Sequence, residues 1–386
     1  MPTPPQPEDV RQLLRGVVDP ELNCDIVELG MVSDVRVDGG DVAITIALTT
    51  AGCPLKAQIK RDVESRIQTA PGVTSVSLDW REMTQDEKAT CMAVARKAAT
   101  ERAVVTDIPA TAKVIAIASG KGGVGKSSIT VNIAAGLAAE GFTVGVVDAD
   151  IGGFSVPRML GLEGRLGGAS GARKIVPNTR TIGTGSLRVV SMGFLVEDEQ
   201  QALLWRGQVL QRAVQHFLED VQWGEIDYLL IDMPPGTGDI QMGLARLLPR
   251  AEMIIVTTPA VAAQKVAARA ADLARKTYLR VVGVIENMSS FTCEHGETYE
   301  LFGSGGGQTL ADEIGAPLLG SVPIEQAVAS GGDTGEPAVL GDGPAAEALR
   351  AIVREIVDVA VPPVDMAGWS ARLLENVEKA LGPVPS

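Results

Sequence analysis

The chain has 386 residues, 45% of them hydrophobic and 21% charged; this excludes a wholly disordered polymer and exceeds the ~250–300 residues at which one hydrophobic core stops growing. A net charge of −14 argues against a general nucleic-acid coat or a polybasic membrane binder, and 3% aromatic residues are too few for a base-stacking platform. Four scattered cysteines, Cys24, Cys53, Cys91 and Cys293, read as thiols of a reducing compartment. With a polar, Pro-rich start and no apolar run of ~18 residues, the expected location is cytoplasmic.

In chain order, a short helix near 9–17 precedes Asp19-Pro20-Glu21, and Val32–Val37 and Val42–Leu48 read as strands joined by the turn Asp38-Gly39-Gly40-Asp41. Gly52-Cys53-Pro54 opens a helix running to Ile67, and Val73–Leu78 is a third strand, which gives residues 1–80 an αββαβ order. Residues 81–112 have helical composition without strong periodicity and read as a partly helical linker.

From Lys113 short apolar runs alternate with helix-length segments: Val114–Ala118, Val144–Val147, Leu187–Val190, Tyr228–Ile231, Met253–Val256, Val281–Ile285 and Pro317–Gly320. That alternation predicts an α/β domain over 113–360, with a doubly wound, largely parallel sheet covered on both faces. Gly161–Gly171 and Gly303–Gly307 read as loops. In the tail, 361–386, Trp369, Leu373, Leu374, Val377 and Leu381 form one helical stripe. Its balanced charges favour packing on protein over anionic lipid.

The chemistry concentrates in Ser119-Gly120-Lys121-Gly122-Gly123-Val124-Gly125-Lys126-Ser127-Ser128, a G-x-x-x-x-G-K-[ST] string between an apolar strand and an Ala-rich helix. Glycines let backbone N–H groups wrap phosphates, and the helix start adds positive potential. Lys126 neutralises β/γ oxygens, and Ser127 can ligate Mg²⁺. Asp148 and Asp150 follow one apolar strand and Asp232 another; carboxylates at C-terminal strand tips face the nucleotide in such a sheet and can hold Mg²⁺ waters or orient an attacking water.

Lys121 is not required by a simple P-loop and resembles the deviant lysine of the MinD/ParA superfamily, which reaches the partner's phosphates across a nucleotide-sandwich homodimer. Within that superfamily the chain resembles the Mrp/ApbC iron–sulfur cluster carrier ATPases. The likeness is carried by Asp148-Ala149-Asp150-Ile151, Pro157-Arg158-Met159, Trp205-Arg206-Gly207, Ile231-Asp232-Met233-Pro234-Pro235-Gly236-Thr237-Gly238-Asp239, Glu286-Asn287-Met288-Ser289 and Phe302-Gly303-Ser304-Gly305-Gly306-Gly307. The resemblance implies ATP and Mg²⁺ as cofactors, switch roles for Asp150 and Asp232, and a base contact from Asn287. It also implies a carried iron–sulfur cluster, with apo iron–sulfur clients and assembly factors as partners. Residues 1–80 resemble the small SufT-like iron–sulfur assembly domain through Asp19-Pro20-Glu21, Glu28-Leu29-Gly30 and Thr49-Thr50-Ala51-Gly52-Cys53-Pro54.

The family's cluster ligands are usually a C-x-x-C pair after the Asn-Met-Ser motif, whereas Phe291-Thr292-Cys293-Glu294-His295-Gly296 holds one cysteine. Two readings follow: Cys293 and His295 from two subunits ligate a cluster on the dimer axis, or the loop has lost its ligands. Ala260 also replaces the family's usual glutamine. Cys53, at a helix start, is either an activated thiolate or a small buried hydrophobe. Cys24 and Cys91 carry no spacing signal, and His216 reads as structural. The expected function is an ATP-hydrolysing cluster carrier; the alternatives are a positioning or partitioning ATPase and a cluster-free scaffold.

Overall fold

The computed structural model describes every residue except 1–3, 21, 23, 50–55, 103–105, 151–152, 169–173, 196–206, 237–238, 278 and 364–386. Internal packing divides the chain into two units, Met1–Ala103 and Val104–Ser386. Among the described residues no helix is long and apolar enough to cross a membrane.

In the first unit Pro7 and the Asp9 carboxylate, which accepts the Gln6 N–H at 2.9 Å, start α1 (Pro7–Leu14). A two-residue antiparallel ladder joins β1 (Val18–Asp19) to β2 (Cys24–Asp25). The hairpin of β3 (Val32–Asp38) and β4 (Asp41–Leu48) turns at Gly39, whose φ of +61° suits glycine. Helix α2 (Lys56–Gln68) buries Ile59, Val63 and Ile67, spaced four apart. Strand β5 (Ser75–Glu82) begins later than its apolar pattern suggests and runs on to Glu82, because it pairs in parallel with β4 along its whole length. Thr84 and Glu87 form a reciprocal capping box that starts α3 (Gln85–Arg102). This is the helical part of segment 81–112, and it falls within the first unit.

The second unit is built on a nine-stranded sheet with spatial order β10-β11-β7-β12-β6-β13-β14, and with β15 and β16 both pairing to β14. Its elements begin with β6 (Lys113–Ser119), α4 (Lys126–Ala139), β7 (Thr143–Asp148) and α5 (Val156–Met159). A two-residue ladder, β8 (Gly167–Gly168) with β9 (Ile175–Val176), precedes β10 (Asn178–Ile182), β11 (Gly185–Ser191) and α6 (Gly207–Glu219). Then come β12 (Tyr228–Asp232), α7 (Asp239–Leu247), β13 (Glu252–Thr257) and α8 (Val261–Lys276). The last elements are β14 (Arg280–Thr292), β15 (Thr298–Tyr299), α9 (Gly306–Ile314), β16 (Leu318–Ile324), α10 (Gln326–Thr334) and α11 (Pro344–Glu355).

All seven anticipated strands form the parallel body of this sheet; β10 and β15 are antiparallel additions. Both faces are covered, which is why the strands read as continuous apolar runs. In β6, Ile115 and Ile117 enter one core with α4 and α11, while Val114, Ala116 and Ala118 enter the other with α7 and α8. The expected loop at Gly303–Gly307 is shorter: Gly306 and Gly307 open α9, pressed so close to Pro259 and Glu286 that a Cβ would collide. Gly167 and Gly168 likewise belong to a ladder, within the stretch read as a loop. The tail stripe lies outside the described residues.

Candidate functional site

Sheet order decides what meets at the C-terminal strand tips. Strand β12 lies between β6 and β7, so Asp232 pairs with Ile117 on one side and Asp148 on the other, and Asp148 pairs in turn with Ser191. The loop leaving β6 therefore passes over a row of buried polar groups.

That loop is shaped by glycines. A side chain on Gly120 would run into the α8 backbone at Val266 and Ala267, and Gly123 and Gly125 have φ of +82° and +81°. Gly125 is the N-cap of α4 and supplies no side-chain cap, so the first helical turn presents N–H groups suited to an anion. Asn287, buried at the end of β14's central stretch, donates from Nδ2 to the Val124 carbonyl at 2.9 Å and so braces the loop from outside. Met288, next to it, has φ of +58°.

At the loop's end the Asp232 carboxylate, fully buried, is the hub. Lys126 Nζ donates to Oδ1 at 2.7 Å, Thr130 Oγ1 lies 2.9 Å from the same oxygen, and Ser127 Oγ donates to Oδ2 at 2.6 Å. Lys126, itself only 6% exposed, also lies 3.7 Å from Asp150 Oδ2. Burial raises the Asp150 pKa while Lys126 opposes the shift. Asp148 accepts from Ser191 Oγ at 3.0 Å and from the Asp150 N–H at 3.2 Å; burial, then Asp232, push its carboxyl up to about 7. Ser127 and Asp232 offer hard oxygen donors beside an anion cradle, a donor set that fits Mg²⁺ completed by waters.

Lys121 is exposed and its side chain makes no ion pair among the described residues. It borders a cleft of about 170 Å³ lined also by Gly123, Thr258, Ala260, Met288 and Phe302. Ala260 is the N-cap of α8 and gives no side-chain cap.

Strand β14 continues past Asn287 into a hairpin with β15. Cys293 opens its turn, with the Cys293 N–H donating to the Glu297 carbonyl and the Gly296 N–H to the Cys293 carbonyl, both at 2.9 Å. Gly296, the position where a C-x-x-C spacing would set its second thiol, has φ of +83°. The His295 side chain is 82% exposed, beside Glu294. Among the described residues no group of three or more His, Cys, Asp or Glu is disposed to hold a metal ion. Cys53 lies outside the described residues. Cys24 and Cys91 are buried, and burial pushes both thiols up, Cys91 to about 11, which suppresses thiolate chemistry. His216 Nδ1 lies 2.6 Å from Asp220 Oδ2 on the exposed face of α6, away from the strand tips.

The sequence motifs do not include Thr130 or Ser191, and they include Glu286 without giving it a role. Thr130 is four residues after Lys126 and so on the same helical face, a signal available in the sequence. Ser191 ends β11 as Asp148 ends β7. Glu286, buried, accepts the Gly307 N–H at 2.5 Å and the Ser321 hydroxyl at 3.3 Å, pinning the start of α9 to β14.

Residues 110–357 match the family model described as NUBPL iron-transfer P-loop NTPase, and residues 7–78 match an iron–sulfur cluster assembly protein model. The iron–sulfur cluster carrier protein of Mycobacterium leprae is 41% identical over 355 residues, covering 89% of this chain and 90% of that protein. Its counterpart in Deinococcus radiodurans is 42% identical over 346 residues, covering 89% and 92%. A nucleotide-binding protein of Archaeoglobus fulgidus, solved in complex with ADP, is 32% identical, covers 60% of this chain and 89% of its own, and superposes with a TM-score of 0.49.

The raised Asp148 pKa fixes a sign. Folded Asp148 holds its proton more tightly than an unfolded carboxyl, so its contribution to stability is fully present below the ordinary value of 3.8 and is lost as pH rises through about 7. Thermal melts of wild type and Asp148→Asn across pH 5 to 8 check this: the variant should gain stability relative to wild type as pH rises, and parallel curves would refute it.

Proposed function

The chain belongs to the NUBPL iron-transfer P-loop NTPase family, and from that membership we propose that it is an ATP-hydrolysing carrier of iron–sulfur clusters. In this reading it works as a homodimer in the cytoplasm and loads apo iron–sulfur proteins. The observation that carries the nucleotide half is the buried Asp232 carboxylate bonded to Lys126 and Ser127. The carrier half rests on Cys293, which opens the turn directly after the strand that braces the P-loop through Asn287.

In this reading the backbone N–H groups of Gly120 to Ser128 wrap the phosphates, and Lys126 neutralises the β/γ oxygens. Mg²⁺, held by Ser127 with Asp232 behind it, supplies charge neutralisation at the phosphate oxygens when bound. Asp150 orients the attacking water, a role supported by its approach to Lys126 and its raised pKa. Asn287, which also braces the loop at Val124, contacts the base. Lys121, exposed beside the cleft, reaches the nucleotide of a second subunit.

The cluster is cargo, and one chain offers few ligands for it. Two subunits related by a two-fold axis bring two Cys293 thiolates and two His295 imidazoles to one place, a mixed ligand set chemically able to hold an iron–sulfur centre. A cysteine introduced at Gly296 has open space around its Cβ, but the left-handed backbone costs about 1–2 kcal/mol.

Two experiments check these halves separately. Lys126→Ala should weaken nucleotide binding, while Lys121→Ala should spare much of it and impair hydrolysis and ATP-dependent dimerisation. Equilibrium titration and light scattering decide, and equal loss of binding in both variants removes the trans role of Lys121. Anaerobic reconstitution with iron and sulfide, followed by absorption spectroscopy and transfer to an apo-ferredoxin, tests the carrier role. Cys293→Ala should abolish the cluster signal, and His295→Ala should leave a labile or altered one. No binding or transfer by wild type would overturn the carrier role and leave the nucleotide site standing.

A further inference from the structure

Thr130 lies one turn beyond Lys126 on α4 and is fully buried. Its hydroxyl has one proton and two acceptors in reach, the Lys126 carbonyl at 3.0 Å and Asp232 Oδ1 at 2.9 Å. The bond to the ionised oxygen is charge-assisted and the stronger of the two. Oδ1 therefore takes donors from Lys126 and Thr130, and Oδ2 takes one from Ser127. These differ in kind. Lys126 and Ser127 belong to the phosphate loop and must turn toward a bound nucleotide, whereas Thr130 sits inside the helix–sheet core and has no solvent-facing role.

We propose that Thr130 is a positioning residue for the metal side of the nucleotide site: it pins Asp232 Oδ1, so that Oδ2 stays aimed at Ser127 whichever partner Lys126 holds. This rests on the nucleotide reading of the P-loop. A hydrogen bond to one oxygen restrains rotation about the Cβ–Cγ bond and so keeps the second oxygen oriented toward Mg²⁺ or a metal-bound water. Replacing the hydroxyl by a methyl sets carbon where a 2.9 Å hydrogen bond was, too close for a C···O contact, and turns the carboxylate.

The test measures steady-state ATP hydrolysis against Mg²⁺ concentration for wild type, Thr130→Ser, Thr130→Val and Thr130→Ala, with ATP binding titrated without metal. Loss of one hydrogen bond to a charged group should raise the Mg²⁺ concentration for half-maximal activity about tenfold in both Val and Ala variants. Thr130→Ser should stay within about twofold of wild type, and metal-free ATP binding should be unchanged in all. Thr130→Ala removes the hydroxyl without crowding, so a folding defect confined to Thr130→Val leaves the test intact. Unshifted Mg²⁺ dependence in Thr130→Ala, or Thr130→Ser as impaired as Thr130→Ala, would overturn the assignment. A wild type that neither binds nor hydrolyses ATP would instead bring down the underlying nucleotide reading, and this assignment with it.

Discussion

The carboxylate of Asp232 is the group on which the second unit's functional end depends. An ionised carboxylate buried without partners costs several kcal/mol, and removing one partner of a buried pair typically costs 3–5 kcal/mol. Among the described residues its side-chain partners all come from the first turns of α4, at Lys126, Ser127 and Thr130. The strand and the phosphate loop are consequently bound to each other before any ligand is considered. The sheet order makes this possible, since β12 is hydrogen-bonded directly to β6, the strand that feeds the loop.

Strand β14 extends the same organisation outward. Along its 13 residues it carries Glu286, which holds the start of α9, then Asn287, which holds the P-loop carbonyl of Val124, and at its end the turn that begins with Cys293. In the proposed carrier, the residue assigned to the nucleotide and the residue assigned to the cargo thus lie on one stretch of backbone. In that carrier this connection gives a covalent route from the phosphates to the Cys293 hairpin, through the irregular stretch between Asn287 and Phe291 where the pairing with β16 shifts register and Met288 has positive φ.

Much of this was legible in the sequence, for identifiable reasons. Doubly covered parallel strands demand unbroken apolar runs, so β6, β7, β11, β12, β13, β14 and β16 were visible, and the P-loop glycines are dictated by backbone conformation. Strands β10 and β15 were not, because Asn178–Ile182 and Thr298–Tyr299 lie at sheet margins and carry no such run. Gly306 and Gly307 misled because glycine was read as a loop former, when close approach to Pro259 and Glu286 is what requires it. Thr130 shares a helical face with Lys126, but that spacing alone does not say what its hydroxyl binds; its meaning comes from an aspartate 102 positions away.

The most direct test of Asp232 as the hub is calorimetric titration of ATP with and without Mg²⁺ into wild type and Asp232→Asn, which keeps the side chain's shape and removes its charge. Mg²⁺ should tighten ATP binding in wild type and leave Asp232→Asn unmoved. Equal tightening in both proteins would contradict a site organised around this carboxylate.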